Sequence, residues 1–179
     1  KLMAEQARLL ELQREYSKAA EVMERALELN PTKRDKAILN YKIGLNLSLA
    51  GDPRSEHFYS QSVRMATENG DTTMACEFLR NYADYLANNG KYRQSNNVYR
   101  EISRMMPQMA GLSAIQMAMA GNYINLHMPD SARICNEKAI ESEARLEAKG
   151  FDDISRRMVI ELERCLLDYG DGKPVSYVG

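Results

Sequence analysis

Two series of small residues run through this chain in step, and they constrain its fold more than any other feature. Ala7, Gly44, Ala83 and Ala120 recur at intervals of 37, 39 and 37 residues. Ala19, Ser55, Ser95 and Ala132 recur at intervals of 36, 40 and 37. The stretches around them have apolar residues returning every three or four positions, which is the helical period. The first series falls late in one helix, the second early in the next. Small side chains at fixed places let two helices pack closely, so the pattern writes one helical hairpin four times, about every 38 residues. Such units bury their apolar faces against their neighbours and share one continuous core.

The helix boundaries agree. Pro31 and Pro107 each follow a helical run and stop it, while Pro53 and Pro129 stand where a helix opens. Pro174 lies in the loop-like tail Gly170-Asp171-Gly172-Lys173-Pro174. These boundaries predict nine helices, over 2–14, 17–29, 33–50, 54–69, 71–89, 92–106, 109–127, 130–149 and 152–169. The hairpin turns Arg14-Glu15, Gly51-Asp52, Gly90-Lys91 and His127-Met128 are short, which forces antiparallel neighbours. Between units, Asn69-Gly70-Asp71 and Gly150-Phe151-Asp152 put Gly at a helix end and Asp at the next start. Val and Ile are few and scattered, and no Asn-Gly turn joins two alternating runs, so strands are not expected.

The second helix of unit one shows its buried stripe clearly: Tyr16, Ala19, Ala20, Met23, Ala26 and Leu27. In unit three the stripe is Tyr92, Ser95, Tyr99 and Ile102. The last helix carries Ile154, Met158, Leu162, Cys165, Leu166 and Tyr169, with Val159, Ile160 and Leu167 beside them. So wide an apolar band predicts cover on two sides, as in a helix followed by a further unit. Both chain ends read as cuts in a longer protein. The expected organisation is one array over 1–179, with units at about 1–31, 32–70, 71–107 and 108–150, an extra helix at 151–169 and a tail at 170–179.

Composition excludes several functions. The 24 basic and 25 acidic residues leave a net charge of −1, so no broad field attracts nucleic acid or anionic lipid. The longest uncharged stretch, from Met105 to Pro129, is too polar and too interrupted to span a bilayer. Cys76, Cys135 and Cys165 are widely spaced, with no Cys-x-x-Cys or Cys/His cluster, and read as small core groups. His57 and His127 lack partner motifs, and no metalloprotease, nucleophile-elbow or phosphate-loop pattern appears. Asp152-Asp153 reads as a helix cap rather than a metal site. Met105, Met106, Met109, Met117 and Met119 form a methionine-rich stretch, read as adaptable filler between hairpins. No enzyme, metal or cofactor is expected.

The stretch from Tyr16 to Pro31, YSKAAEVMERALELNP, resembles the second helix of a tetratricopeptide repeat (TPR). It has the turn Tyr, two small packing residues and the closing Pro. Residues 82–92, YADYLANNGKY, resemble the family's first helix and turn, and Pro129-Asp130-Ser131-Ala132-Arg133 with Ala139 repeats the second-helix signature. The resemblance covers about residues 2–149, strongest in units one and three. Units of 37 to 39 residues exceed the family's usual 34, and His127 stands where a turn Gly is usual. The resemblance implies an all-α, right-handed α-solenoid of about four antiparallel hairpins plus a C-terminal helix.

In such a stack the first helices line the concave face, as the resemblance implies. Residues four apart on each first helix share one stripe. The stripe holds Ala4, Arg8 and Leu12 in unit one, then Tyr41, Leu45 and Leu49, then Arg80, Asp84 and Asn88, and last Met117, Gly121 and Asn125. Lys42 and Asn81 lie beside it. Tyr41, Leu45 and Met117 offer apolar contact, Arg80 can clamp a carboxylate or carbonyl, and Asn81, Asn88 and Asn125 can pair with a peptide backbone. Alternatively, Arg80 and Asp84 form a four-spaced ion pair on a solvated face. The Lys, Asn and Arg clamp with which some relatives hold chaperone tails is not reproduced, because Leu45 and Asp84 occupy its places.

These features predict a non-catalytic scaffold that binds a protein or peptide. Neither nucleic-acid binding nor membrane insertion by these residues is expected, and the apolar terminal helix could pair two copies as a homodimer. The alternative is the sensing arm of a bacterial membrane-bound transcriptional regulator or histidine kinase.

Overall fold

The computed structural model describes residues 2–107 and 111–148, together with 157, 160, 161, 164, 167, 168 and 170. Eight continuous helices lie within them: α1 (Leu2–Leu12), α2 (Tyr16–Glu28), α3 (Lys33–Leu49), α4 (Ser55–Glu68), α5 (Thr72–Asn88), α6 (Tyr92–Met105), α7 (Leu112–Asn125) and α8 (Pro129–Glu147). No strand occurs among the described residues. Most helix ends fall within one or two residues of the predicted ones. The ninth predicted helix and the tail lie mostly outside the described residues, including Asp152-Asp153 and Cys165. The described positions there are helical, and Gly170, expected to begin the tail, still belongs to a helix. The chain divides into two compact units, Lys1–Tyr85 and Leu86–Gly179, with the boundary inside α5.

Both small-residue series are buried throughout. Gly44 shows why. A Cβ built there would lie 3.1 Å from the Tyr59 backbone nitrogen and 3.3 Å from the Ser55 carbonyl oxygen, so α3 and α4 meet backbone to backbone. Any side chain there would require the two backbones to give by a few tenths of an ångström. Around this contact the first unit packs Ala7, Ala20, Val22, Met23, Ile43 and Leu47 into one core. Each large member contributes on the order of 1.5–3 kcal/mol by leaving water. In the second unit Ile102, Ile115, Met119, Ala120, Ala132, Ala139 and Ile160 are buried. Cys76 and Cys135 are buried as well, as a core role requires.

The hairpin turns share one geometry. Arg14, Gly51, Gly90 and His127 have φ of 59°, 73°, 72° and 55°, in the left-handed region. Each lies seven residues after its unit's small residue. The following amide donates five residues back, Glu15 to Leu10, Asp52 to Leu47, Lys91 to Leu86 and Met128 to Tyr123, at 2.8–2.9 Å. The left-handed residue itself donates three back. This paired closure satisfies carbonyls that a helix end would otherwise leave bare. His127 therefore does a turn glycine's work without being glycine. Between units, Asp71 caps α5, its Oδ1 accepting from the Met74 amide at 3.0 Å.

A second register rule links neighbouring hairpins within each compact unit. The residue two positions after the small residue of a first helix reaches back to the preceding second helix. Asn46 Nδ2 lies 4.0 Å from Met23 Sδ and donates to Glu11 Oε1 at 2.8 Å. The Tyr85 ring lies 5.7 Å from that of Tyr59. Asn122 Nδ2 donates to Ser95 Oγ at 2.9 Å and Asn96 Oδ1 at 2.8 Å. Asn46, Asn96 and Asn122 are all buried. Burying amides is costly unless they are hydrogen-bonded, so these bonds fix register as well as contributing stability.

Candidate protein-binding faces

In the first unit, α3 and α5 meet through aromatic rings. Tyr41 of α3 stacks on Phe78 of α5 with centroids 4.5 Å apart and planes 10° apart. Tyr59 of α4 lies 6.1 Å from Tyr41 and 5.6 Å from Tyr82. With Tyr85, whose ring lies 5.7 Å from that of Tyr59, five rings hold three helices together. Such pairs contribute roughly 0.5–1.5 kcal/mol each beyond their buried area.

The predicted stripe lies on this framework. Tyr41 is half-buried: one ring face is committed to Phe78, so it is less open than a freely projecting contact residue. Leu45 is half-buried, and Lys42, Arg80 and Asp84 are exposed. Asn81 is half-buried, and its Nδ2 donates to the Glu77 carbonyl of its own helix at 2.8 Å. Arg80 forms no ion pair with Asp84, so the four-spaced pair is not made. In the second unit Asn88 and Asn125 are exposed and Met117 is half-buried. Asn125 Nδ2 donates to the Gly121 carbonyl at 3.0 Å. A Cβ on Gly121 would meet nothing within 4 Å, so that part of α7 is open.

The electrostatics are those of a packed scaffold. Burial pushes the Tyr59 hydroxyl up to about 12. Tyr82 rises further, first by burial and then because its hydroxyl donates to Glu56 Oε1 at 3.0 Å. Burial also raises Tyr41, with the Glu77 charge adding to it. Burial raises the Cys135 thiol against the pull of Lys138 and Arg100, which keeps it protonated rather than nucleophilic. No cluster of three metal-ligating side chains occurs among the described residues. No described helix is long and apolar enough to cross a membrane.

Sequence reasoning missed the buried amides Asn46 and Asn122. Their signal was positional, since both stand two residues after a small residue of the first series. It also missed the cations that converge in the second unit, because they come from different helices.

No family model matches the chain, and no curated protein matches it. Solved structures do. A kinesin light chain-like protein from Podosopora anserina, with nearly identical TPR-like repeats, is 13% identical with a TM-score of 0.71, over 95% of this chain and 85% of that one. A point variant of it is 12% identical with the same TM-score and coverage. BtubC from P. vanneervenii is 17% identical with a TM-score of 0.72, over 95% of this chain and 72% of that one. The fold is therefore that of the TPR-like helical repeat proteins.

Proposed function

We propose that this chain is a non-catalytic module that recruits a protein through the exposed face of its first helices. In the first unit the contact residues are Tyr41, Lys42, Leu45, Arg80, Asn81 and Asp84. Asn88, Met117 and Asn125 hold the corresponding positions in the second unit and take the same role there. The observation that carries this reading is Arg80, exposed and with no ion pair among the described residues, on the helix whose Phe78 stacks against the half-buried Tyr41. An apolar floor with an available guanidinium suits an extended peptide, whose side chains fill the floor and whose carbonyl or carboxylate meets the cation. Ordered helices beneath the face limit the entropy lost on binding.

The test uses a displayed library of random dodecapeptides selected on the wild-type chain. The reading expects enriched peptides whose binding falls about tenfold or more with Arg80→Glu, at unchanged helical circular dichroism. Failure to enrich any peptide, or enrichment of peptides indifferent to Arg80→Glu and Tyr41→Ala, overturns it.

A further inference from the structure

The second unit contains a cleft of about 330 Å³, lined by residues of α6, α7 and α8. The ten described residues that line it include three cations, Arg100, Arg104 and Lys138, and no acidic residue. The total charge of the chain is close to zero, so this concentration is local. Arg100 is already held in place: its Nη1 donates to Asn97 Oδ1 at 2.7 Å, and its Nη2 donates to the Tyr123 hydroxyl. Tyr123 accepts there and keeps its own proton for a ligand. Arg104 and Lys138 are exposed and form no ion pair among the described residues. Glu141, one turn from Lys138, is engaged with Arg145 at 3.5 Å instead.

The cleft is distinct from the face in the preceding section. It uses Gln116, Met119 and Tyr123 of α7, whereas the stripe uses Met117, Gly121 and Asn125. At about 100° per residue, the two sets lie on opposite sides of the helix. We infer that this cleft is a second docking site, which takes an acidic side chain from an extended segment of a partner protein. The charge of the lining selects an anion. Met119, Cys135 and the half-exposed Ile134 supply apolar walls for the stem of a glutamate or for an apolar neighbour. The volume is at the small end for a ligand site, enough for one or two side chains. A nucleic acid would need a long basic track, which three cations do not make. A pre-positioned arginine lowers the ordering cost of the contact.

The probe is a fluorescein-labelled octapeptide of alternating glutamate and leucine, measured by anisotropy on the full chain, with the glutamine–leucine peptide as its neutral match. The acidic peptide is expected to bind saturably, to weaken as salt is raised, and to outbind its neutral match. Lys138→Glu should weaken it by about tenfold, and Arg104→Glu with Lys138→Glu should abolish it. Both positions are exposed, and helical circular dichroism reports whether the variants fold. Arg80→Glu, in the first unit and not part of the lining, should leave the Lys138-dependent part of this binding unchanged, which separates this inference from the proposed function. Equal binding of the neutral peptide, indifference to Lys138→Glu, or full displacement by inorganic phosphate at equal concentration would overturn it, the last by showing a small-anion site instead.

Discussion

Asn122 and Ser95 are joined by a 2.9 Å hydrogen bond between side chains, buried where α7 crosses α6. The same amide nitrogen also serves Asn96 at 2.8 Å. Both of its protons are therefore used, and both acceptors depend on it.

Asn122→Ala should cost about 2 kcal/mol, because two buried acceptors lose their donor. Asn125→Ala, three residues on and exposed, should change stability by less than about 0.5 kcal/mol. Urea unfolding followed by circular dichroism compares them. Equal midpoints for the two variants would remove the buried amide from the stability of this unit.

Gly44→Ala sets two effects against each other. Alanine should favour the helix by about 1 kcal/mol over glycine. Its Cβ, however, would stand 3.1 Å from a backbone nitrogen that no rotamer change can move. Overpacking of this kind costs about 1–3 kcal/mol, so we expect net destabilisation, and more for Gly44→Val. A midpoint above wild type would show that α3 and α4 can separate freely.

His127 holds a left-handed φ of 55° that costs an L-residue about 1–2 kcal/mol. His127→Gly relieves this but adds freedom to the unfolded chain, which returns part of the gain. The expected net is a stabilisation of about 0.5–1 kcal/mol, read as a higher urea midpoint.

Tyr59 predicts the alkaline limit. Its hydroxyl ionises near 10 when exposed and near 12 in the fold. The folded state holds the proton more tightly, so this stability is complete below pH 10. It is lost as pH rises toward 12, when the unfolded chain ionises first. Thermal midpoints should fall across that interval, and Tyr59→Phe should flatten the fall. Tyrosinate absorbance that develops fully at pH 10 in the folded protein would contradict the burial.

The fold was legible because its instructions are local. Small residues at fixed intervals, prolines at helix ends and a glycine or its substitute at each turn are all readable along the chain. Ala19, Ser95 and Ala132 are fully buried, as their spacing required. The ninth predicted helix lies mostly outside the described residues, and Gly170, one position past its predicted end, is helical. The binding faces were legible only as residue types. Tyr41 could be placed on a stripe, but its stacking on Phe78 depends on a residue 37 positions away. Residue type gives no sign that Asn46 and Asn122 are buried, since asparagine is mostly exposed. Arg104 and Lys138 are far apart in sequence, and only the packing of α6 against α7 and of α7 against α8 brings them to one cleft.

The constant step of seven residues from each small contact residue to its left-handed turn divides the chain into parts that can and cannot change length. Arg14, Gly51, Gly90 and His127 all keep it, while the run from a second-helix small residue to the next first-helix one varies, from Ala19 to Gly44, Ser55 to Ala83 and Ser95 to Ala120. Insertions therefore belong near the ends of second helices, where an added residue shifts a junction. Within the seven, a single added residue would rotate the reversal by about 100° and aim the returning helix away from its partner. Anyone splicing or lengthening this protein should cut after α2 or α4, never between Gly44 and Gly51.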